Sequence, residues 1–362
     1  HHEADHRSRP AVQDPCGSLR YPERAGGGMT RTLIVLPDDT AKPVIEAIEG
    51  ASRSLRVKMF VLSEPSLLNA LTAATRRGVQ TRVLLNPYRR GGEQENEASR
   101  RALARAGVNV KDANPAFDVT HEKSMVVDDE IAFVGSFNWT AKNLFETRDY
   151  GVITTHRQDV DEIGGCFDAD WGRRDFTPRA DTHLVWSPRH GRERICGLIE
   201  AAREYLIVQN ERVQDMVVID CLLRAARRGV KVHLMAKAPH TLKREKLVEG
   251  VGGLRILQDS GIKVRKLKRL PLHGKMLLAD GVAAIVGSMN LAPGSFDSRR
   301  ELGIETRDAA VVERLEKIAR HDWKHSRPLD LSDEGLRDDL ESRVEDAGEL
   351  LGLNRRSRSG RT

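Results

Sequence analysis

Two stretches of this sequence spell nearly the same thing: HEKSMVVDD at 121–129 and HGKMLLADG at 273–281. Each sets a histidine and a lysine two residues apart, with an aspartate five residues past the lysine. Alternate residues of a strand share a face. His121 and Lys123 therefore point together, as do His273 and Lys275, while Glu122 falls on the other side. Each segment is followed by Gly-Ser-x-Asn, in IAFVGSFN and AAIVGSMN. Histidine can act as nucleophile or general acid near neutral pH. Lysine supplies a point charge for non-bridging phosphate oxygens and asparagine a neutral donor. The set is a phosphate-handling kit.

The spacing repeats. His121 to Gly135 and His273 to Gly287 are both 14 residues, His121 to Asn138 and His273 to Asn290 both 17, and His121 to Asp149 and His273 to Glu301 both 28. Packing alone preserves apolar positions, so a polar set held at equal offsets in two diverged halves points to chemistry. The carboxylate of Asp149 or Glu301 can accept the Nδ1 proton of a histidine, fix its tautomer and leave Nε2 free. A displacement through a covalent intermediate needs two roles: one histidine attacks phosphorus, the other protonates the leaving oxygen and then deprotonates the incoming nucleophile. Two halves facing each other about a pseudo-twofold axis supply both.

The elements that position these residues also repeat. LIVLPDD (33–39) and HLVWSPR (183–189) read as opening strands, VKMFVL (57–62) and LIVQNERV (206–213) as second strands. LLNALTAATRRGVQTRVLL (67–85) and VIDCLLRAARRGVKVHLMA (218–236) change from helical to alternating apolar spacing after Arg-Arg-Gly. Gly78 and Gly229 are the expected helix stops. Strands alternating with helices predict an α/β fold of two duplicated halves, with mixed, mostly parallel sheets around a shared site. The expected divisions are a disordered extension at 1–28, a first half at 29–178, a second half at 179–328, and an acidic helix with a disordered basic tail at 329–362. Asp280–Gly281 is a strong hairpin signal, and DDE (128–130) serves the same purpose less ideally.

The net charge of the 362 residues is +6, which suits an anionic partner. Cys16, Cys166, Cys196 and Cys221 form no C-x-x-C pair; the pattern fits a reducing compartment and leaves open one bridge among the last three. The longest apolar runs are far short of a bilayer span, and residues 1–28 lack the apolar core of a signal peptide.

These motifs resemble the signature of the phospholipase D superfamily, H-x-K-x4-D followed by G-S-x-N, across roughly residues 33–328. The resemblance implies two α/β halves around one site that needs no metal or other cofactor. It implies that His121 forms a phosphohistidine and His273 is the acid and base. It further implies that Lys123, Lys275, Asn138 and Asn290 bind the phosphoryl oxygens, and that Asp149 and Glu301 orient the histidines of their own halves. Asp128 and Asp280 are expected to hold the hairpin, with Ser136 and Ser288 beside the site. Asp149 stands where the pattern has glutamate. The segment GSMNLAPGSFDSRRELGI (287–304) is similar to bacterial cardiolipin-synthase-type members, which favours a phospholipid substrate with water or an alcohol as acceptor. The location implied is cytoplasmic, with charge-driven contact at the inner, anionic membrane surface. GSFNWT (135–140) is similar instead to the nuclease branch, so DNA or RNA is the alternative substrate. A non-catalytic anion-binding module is a third reading. With both histidines in one chain, an oligomer is not required.

Other features carry less. KVRKLKR (263–269) is either a basic rim near the site mouth or a lysine-protected edge strand. Arg89, Arg90, Arg100 and Arg101 flank a surface loop. Arg148, Arg299 and Arg300 read as salt-bridge partners, and His321 with His325 as a surface helix without a third metal ligand.

Overall fold

The computed structural model describes residues 31–88, 94–238 and 244–336, and of 244–249 only the backbone. The extension at 1–28, Arg89, Arg90, and the terminal helix and tail beyond residue 336 lie outside the described residues.

The first half runs β1 (Arg31–Leu36), α1 (Lys42–Glu49), β2 (Ser54–Met59), α2 (Pro65–Arg76), β3 (Gln80–Leu85), α3 (Glu97–Arg105), β4 (Asn109–Asp112), β5 (Ser124–Val127), β6 (Ile131–Gly135), α4 (Ala141–Phe145), β7 (Asp149–Thr154) and α5 (Arg157–Trp171). The second repeats the order with β8 (Leu184–Ser187), α6 (Gly191–Ala201), β9 (Tyr205–Asn210), α7 (Met216–Arg227), β10 (Lys231–Ala236), α8 (Arg244–Asp259), β11 (Lys263–Leu267), β12 (Lys275–Ala279), β13 (Ala283–Gly287), α9 (Pro293–Asp297), β14 (Glu301–Thr306) and α10 (Ala309–Lys324), and adds β15 (Ser326–Pro328).

Each half builds one sheet, in the order β1-β7-β6-β5-β2-β3-β4 and β15-β11-β10-β9-β12-β13-β14-β8. The sheets are mixed. Parallel pairing, expected to predominate, is confined to β2-β3-β4 and β9-β10-β11. The motif strands instead form antiparallel hairpins, β5-β6 and β12-β13. The reason is local: Asp128 and Asp129, like Asp280 and Gly281, take positive φ at the turn, the twist that a two-residue hairpin needs. Gly78 and Gly229, both at φ +92°, end α2 and α7 as expected.

The sheets face each other. Leu33, Val35, Val126, Val134 and Val152 of the first meet Trp186, Met276, Leu278, Val286 and Leu302 of the second in one buried layer, joined by side chains of α5 and α10. Each sheet buries its other face under its own helices, α1 and α2 in the first half and α6, α7 and α8 in the second. These three apolar layers fix the sheets rigidly, so the residues at their facing ends keep their positions.

Candidate active site

The two histidines lie in the segments that lead into β5 and β12, and their backbones are held by the opposite half. The N–H groups of His121 and Glu122 donate to Arg300 O at 2.9 and 3.0 Å. Those of His273 and Gly274 donate to Arg148 O at 3.1 and 2.7 Å. The side chains cross in the same way. His121 Nδ1 donates to Glu301 Oε2 at 2.9 Å, and His273 Nδ1 to Asp149 Oδ1 at 2.8 Å. This corrects the expectation that each carboxylate orients the histidine of its own half. Equal offsets of 28 residues record the duplication, whereas face-to-face packing of the sheets sets the pairing.

Asp149 sits in a full shell of donors: Ser136 Oγ at 2.6 Å, Thr147 Oγ1 at 2.6 Å and Asn143 Nδ2 at 3.3 Å. Burial pushes its carboxyl up, but His273, the hydrogen bond to it and Lys275 outweigh burial and hold it below the usual range. For Glu301, burial wins and raises the carboxyl, against the opposing charge of Lys123. The imidazoles differ likewise. Burial, with Lys123, Lys275 and Arg299, holds His121 well below its ordinary value. Burial also lowers His273, but Asp149 and Glu211 counteract it.

Lys123 and Lys275 are almost wholly buried. Lys123 Nζ donates to His121 O at 2.6 Å, and Lys275 Nζ makes the matching contact with His273 O. Burial drives the Lys123 ammonium well down, with Glu301 opposing. Asn138 and Asn290 are buried nearby, each with an Oδ1 that has no hydrogen-bond partner. A carboxamide turned about Cβ–Cγ presents two N–H donors to the same space. Ser288 Oγ accepts from Leu302 N at 3.1 Å, as Ser136 Oγ does from Tyr150 N at 2.9 Å. The motif glycine lets the neighbouring strand approach: a Cβ on Gly287, which pairs with Gly303 of β14, would lie 2.4 Å from Gly303 Cα and 2.5 Å from Leu302 O.

Asp128 and Asp280 lie at the far end of their strands. Asp128 accepts from the N–H groups of Ser52, Arg53 and Ser54 at 2.7–2.8 Å, and Asp280 from those of Arg203, Glu204 and Tyr205 at 2.8–2.9 Å. Each therefore clamps the turn entering β2 or β9 as well as the hairpin.

One residue of the pocket was not singled out by the motif. Glu211 follows β9, where its counterpart after β2 is Phe60. Glu211 Oε2 is 3.4 Å from Lys275 Nζ and 4.0 Å from His273 Nε2, and its Oε1 is 3.3 Å from Lys237 Nζ. Burial pushes this carboxyl up, yet Lys275, His273 and Lys237 hold it well below the usual range. Phe60 instead sets its ring edge-on to His121, with centroids 4.8 Å apart. The available signal was a charged residue ending an apolar strand at a position aromatic in the other half.

Two further clusters have metal-ligand character among the described residues. Glu122, Cys166 and Asp170 surround Lys58, whose Nζ lies 2.9 Å from Glu122 and 2.7 Å from Asp170; the ammonium takes the place of a cation. His156 and His183 face Asp159 Oδ1 at 3.4 and 3.8 Å, but that carboxylate is already neutralised by Arg31 at 2.7 Å. Arg148 and Arg300 form the expected salt bridges, across the halves, with Asp322 at 2.9 Å and Asp170 at 3.0 Å. Arg100 and Arg101 pair with Asp112 and Glu97. β11 is covered by β15, so KVRKLKR is not an edge strand, and Arg265 donates to Ser326. His325 Nδ1 donates to His321 O at 2.8 Å on α10. Cys166, Cys196 and Cys221 are buried free thiols.

The cardiolipin synthase, PLD-like domain family matches this chain twice, at residues 44–171 and 195–323. Cardiolipin synthase B of Salmonella typhimurium is 28% identical over 316 residues, 75% of each chain. In fold, the chain is similar to phosphatidylserine synthase of Haemophilus influenzae (TM-score 0.65, 12% identity, 89% of this chain and 95% of that one). It is also similar to polyphosphate kinase of Porphyromonas gingivalis (TM-score 0.68, 17% identity, 88% of this chain and 53% of that one). With both halves of its length matched to one enzyme family, the chain belongs to the phospholipase D superfamily, in the family of cardiolipin synthase PLD-like domains.

Proposed function

We propose that this protein transfers the phosphatidyl group of a phospholipid, through a phosphohistidine on His121, to an alcohol or to water. The carrying observation is the pair of histidines with both Nδ1 protons engaged by carboxylates, at 2.9 and 2.8 Å, so that both Nε2 atoms are free to react. His121 Nε2 attacks phosphorus, the bond to the leaving oxygen breaks, and His273 gives that oxygen its proton. An acceptor hydroxyl then returns a proton to His273 and attacks phosphorus, and the N–P bond breaks. Lys123, Lys275, Asn138 and Asn290 stabilise the charge gathering on the phosphoryl oxygens. Asp149 and Glu301 hold the tautomers.

The similarity to cardiolipin synthase B supports a lipid over a nucleic-acid substrate. No helix among the described residues is long and apolar enough to cross a membrane. The exposed Lys268 and Arg269, just before the His273 segment, suit a charge-driven contact with an anionic leaflet from the cytoplasmic side.

The test is a paired assay in excess EDTA, with phosphatidylglycerol vesicles in one arm and single-stranded DNA or RNA in the other. The blank is the His121→Ala/His273→Ala double variant. Formation of a transphosphatidylation product or phosphatidic acid supports the proposal. Nucleic-acid cleavage without lipid turnover overturns the substrate, and loss of activity in EDTA overturns the metal-free chemistry.

A further inference from the structure

A pseudo-twofold site gives its two histidines the same neighbours, so something must make them unequal if one is to attack and the other to donate a proton. Most of the surroundings are matched: lysine with lysine, asparagine with asparagine, carboxylate on Nδ1 with carboxylate on Nδ1. The mismatch is at the ends of β2 and β9. His273 has Asp149 at 2.8 Å on Nδ1 and Glu211 at 4.0 Å on Nε2, a carboxylate at each ring nitrogen. His121 has Glu301 at 2.9 Å on Nδ1 and the Phe60 ring against it.

We infer that Glu211 is a positioning residue that assigns the two roles: its carboxylate favours the proton on His273 and thereby makes His273 the acid and His121 the nucleophile. This rests on the phosphohistidine reading above. Charged groups facing His273 are Asp149 from β7, Lys275 from β12, Glu211 after β9 and, across the pocket, His121. Those facing His121 are Glu301, Lys123, Lys275, Arg299 and His273, four of them cationic or titratable to a cation and one acidic. The surroundings of His121 thus repel a proton, while two carboxylates on His273 attract one. The electrostatics run the same way: burial and the cations around it lower His121, whereas at His273 Asp149 and Glu211 oppose the effect of burial. Glu211 stays ionised because Lys275 and Lys237 flank it. An incoming phosphodiester anion favours protonation of both rings, and His273 takes the proton first.

The test is the pH profile of kcat/KM on phosphatidylglycerol vesicles, with mapping of the phosphoenzyme. Formation of the intermediate needs His121 neutral and His273 protonated, so the rate rises through the pKa of His121 and falls through that of His273. Glu211→Gln removes the charge at nearly constant shape. The falling limb then moves to lower pH by about one unit, while the rising limb stays. Glu211→Asp restores the limb in part. A uniform loss of rate with both limbs unmoved overturns the inference, since a structural role has that effect. In case Glu211→Gln does not fold, a histidine NMR titration of the unaltered protein reads the same point: His273 must titrate above His121, and the reverse order overturns it. If the unaltered protein carries no phosphoryl group on His121, the chemistry itself fails. If it does and the limb or the order is wrong, only the role of Glu211 fails.

Discussion

The pocket has two ends, and they are less alike than the motifs that build them. At one, His121 lies against Phe60 and a glutamate whose carboxyl burial raises. At the other, His273 lies between Glu211 and an aspartate that His273 and Lys275 keep ionised against burial and that Ser136, Thr147 and Asn143 anchor. The shorter Asp149 is therefore not a weakened glutamate. Its arm is anchored by three donors, and it reaches its histidine at 2.8 Å, as Glu301 does at 2.9 Å. Duplication supplied two like histidines, and the residues flanking them differ.

The sharpest way to break this comparison is to remove each histidine in turn. His121→Ala should lower turnover by about 10⁴-fold or more and leave no phosphoenzyme. His273→Ala should lower it by about 10²–10⁴-fold and let phosphoenzyme accumulate from a substrate with a good leaving group. Quenched-flow labelling with radioactive lipid reads both; equal, full activity of the two variants would sink the mechanism.

Next come the crossed carboxylates. Each of Glu301→Gln and Asp149→Asn should cost roughly 10–100-fold. Glu301→Gln should suppress labelling of His121 from the other half, and Asp149→Asn should slow proton transfer at His273. If Asp149→Asn instead abolished labelling and left proton transfer intact, the crossing would be wrong.

The halves also differ beneath the pocket. Lys58 is fully buried with Glu122 and Asp170, and burial, which alone would lower its ammonium, is outweighed by Asp170 foremost, so that it stays charged. Its counterpart Gln209 meets Tyr150 and Asp322 as a neutral group. Lys58→Met should destabilise by about 3–5 kcal/mol, because it strands two carboxylates. Gln209→Leu should cost about 1–3 kcal/mol. Thermal melts compare them, and equal losses would contradict the difference in charge.

The smallest expected contrast is at the turn clamps. Burial raises the Asp128 and Asp280 carboxyls, but backbone N–H donors outweigh it and hold both low. A depressed folded-state pKa contributes stability above the unfolded value of about 3.9, lost as pH falls through the folded value. The gap in melting temperature between the parent and Asp128→Asn should therefore shrink as pH drops below about 4. A gap that widened would reverse the sign.

The histidines, lysines and asparagines were legible in the sequence because each set is carried on one short, repeated stretch around a hairpin. Strand alternation alone does not place them, since His121 and Lys123 precede β5, His273 precedes β12, and Asn138 and Asn290 follow β6 and β13. Asp128 and Asp280 were legible as hairpin residues for the same local reason. The partners of the histidines were not. Glu301 is 180 residues from His121, and no periodicity tells which of two facing sheets a carboxylate will reach across. Glu211 and Lys58 look like the polar end and an odd interior position of ordinary strands. Their meaning appears only when the helices and sheets around them exclude water. KVRKLKR resembled an exposed edge because the strand that covers it, Ser326–Pro328, comes from the far side of α10.

The crossed hydrogen bonds also bear on how such a chain is made and how it changes. Synthesis reaches Glu301 long after the first half is complete, so until the second half docks, His121 lacks the carboxylate that holds its Nδ1. On the proposed chemistry, activity would appear as the last event of assembly rather than by increments. The same crossing ties the inheritance of the two repeats together. Neither half can change the angle or depth of its sheet without moving the carboxylate that holds the other half's histidine.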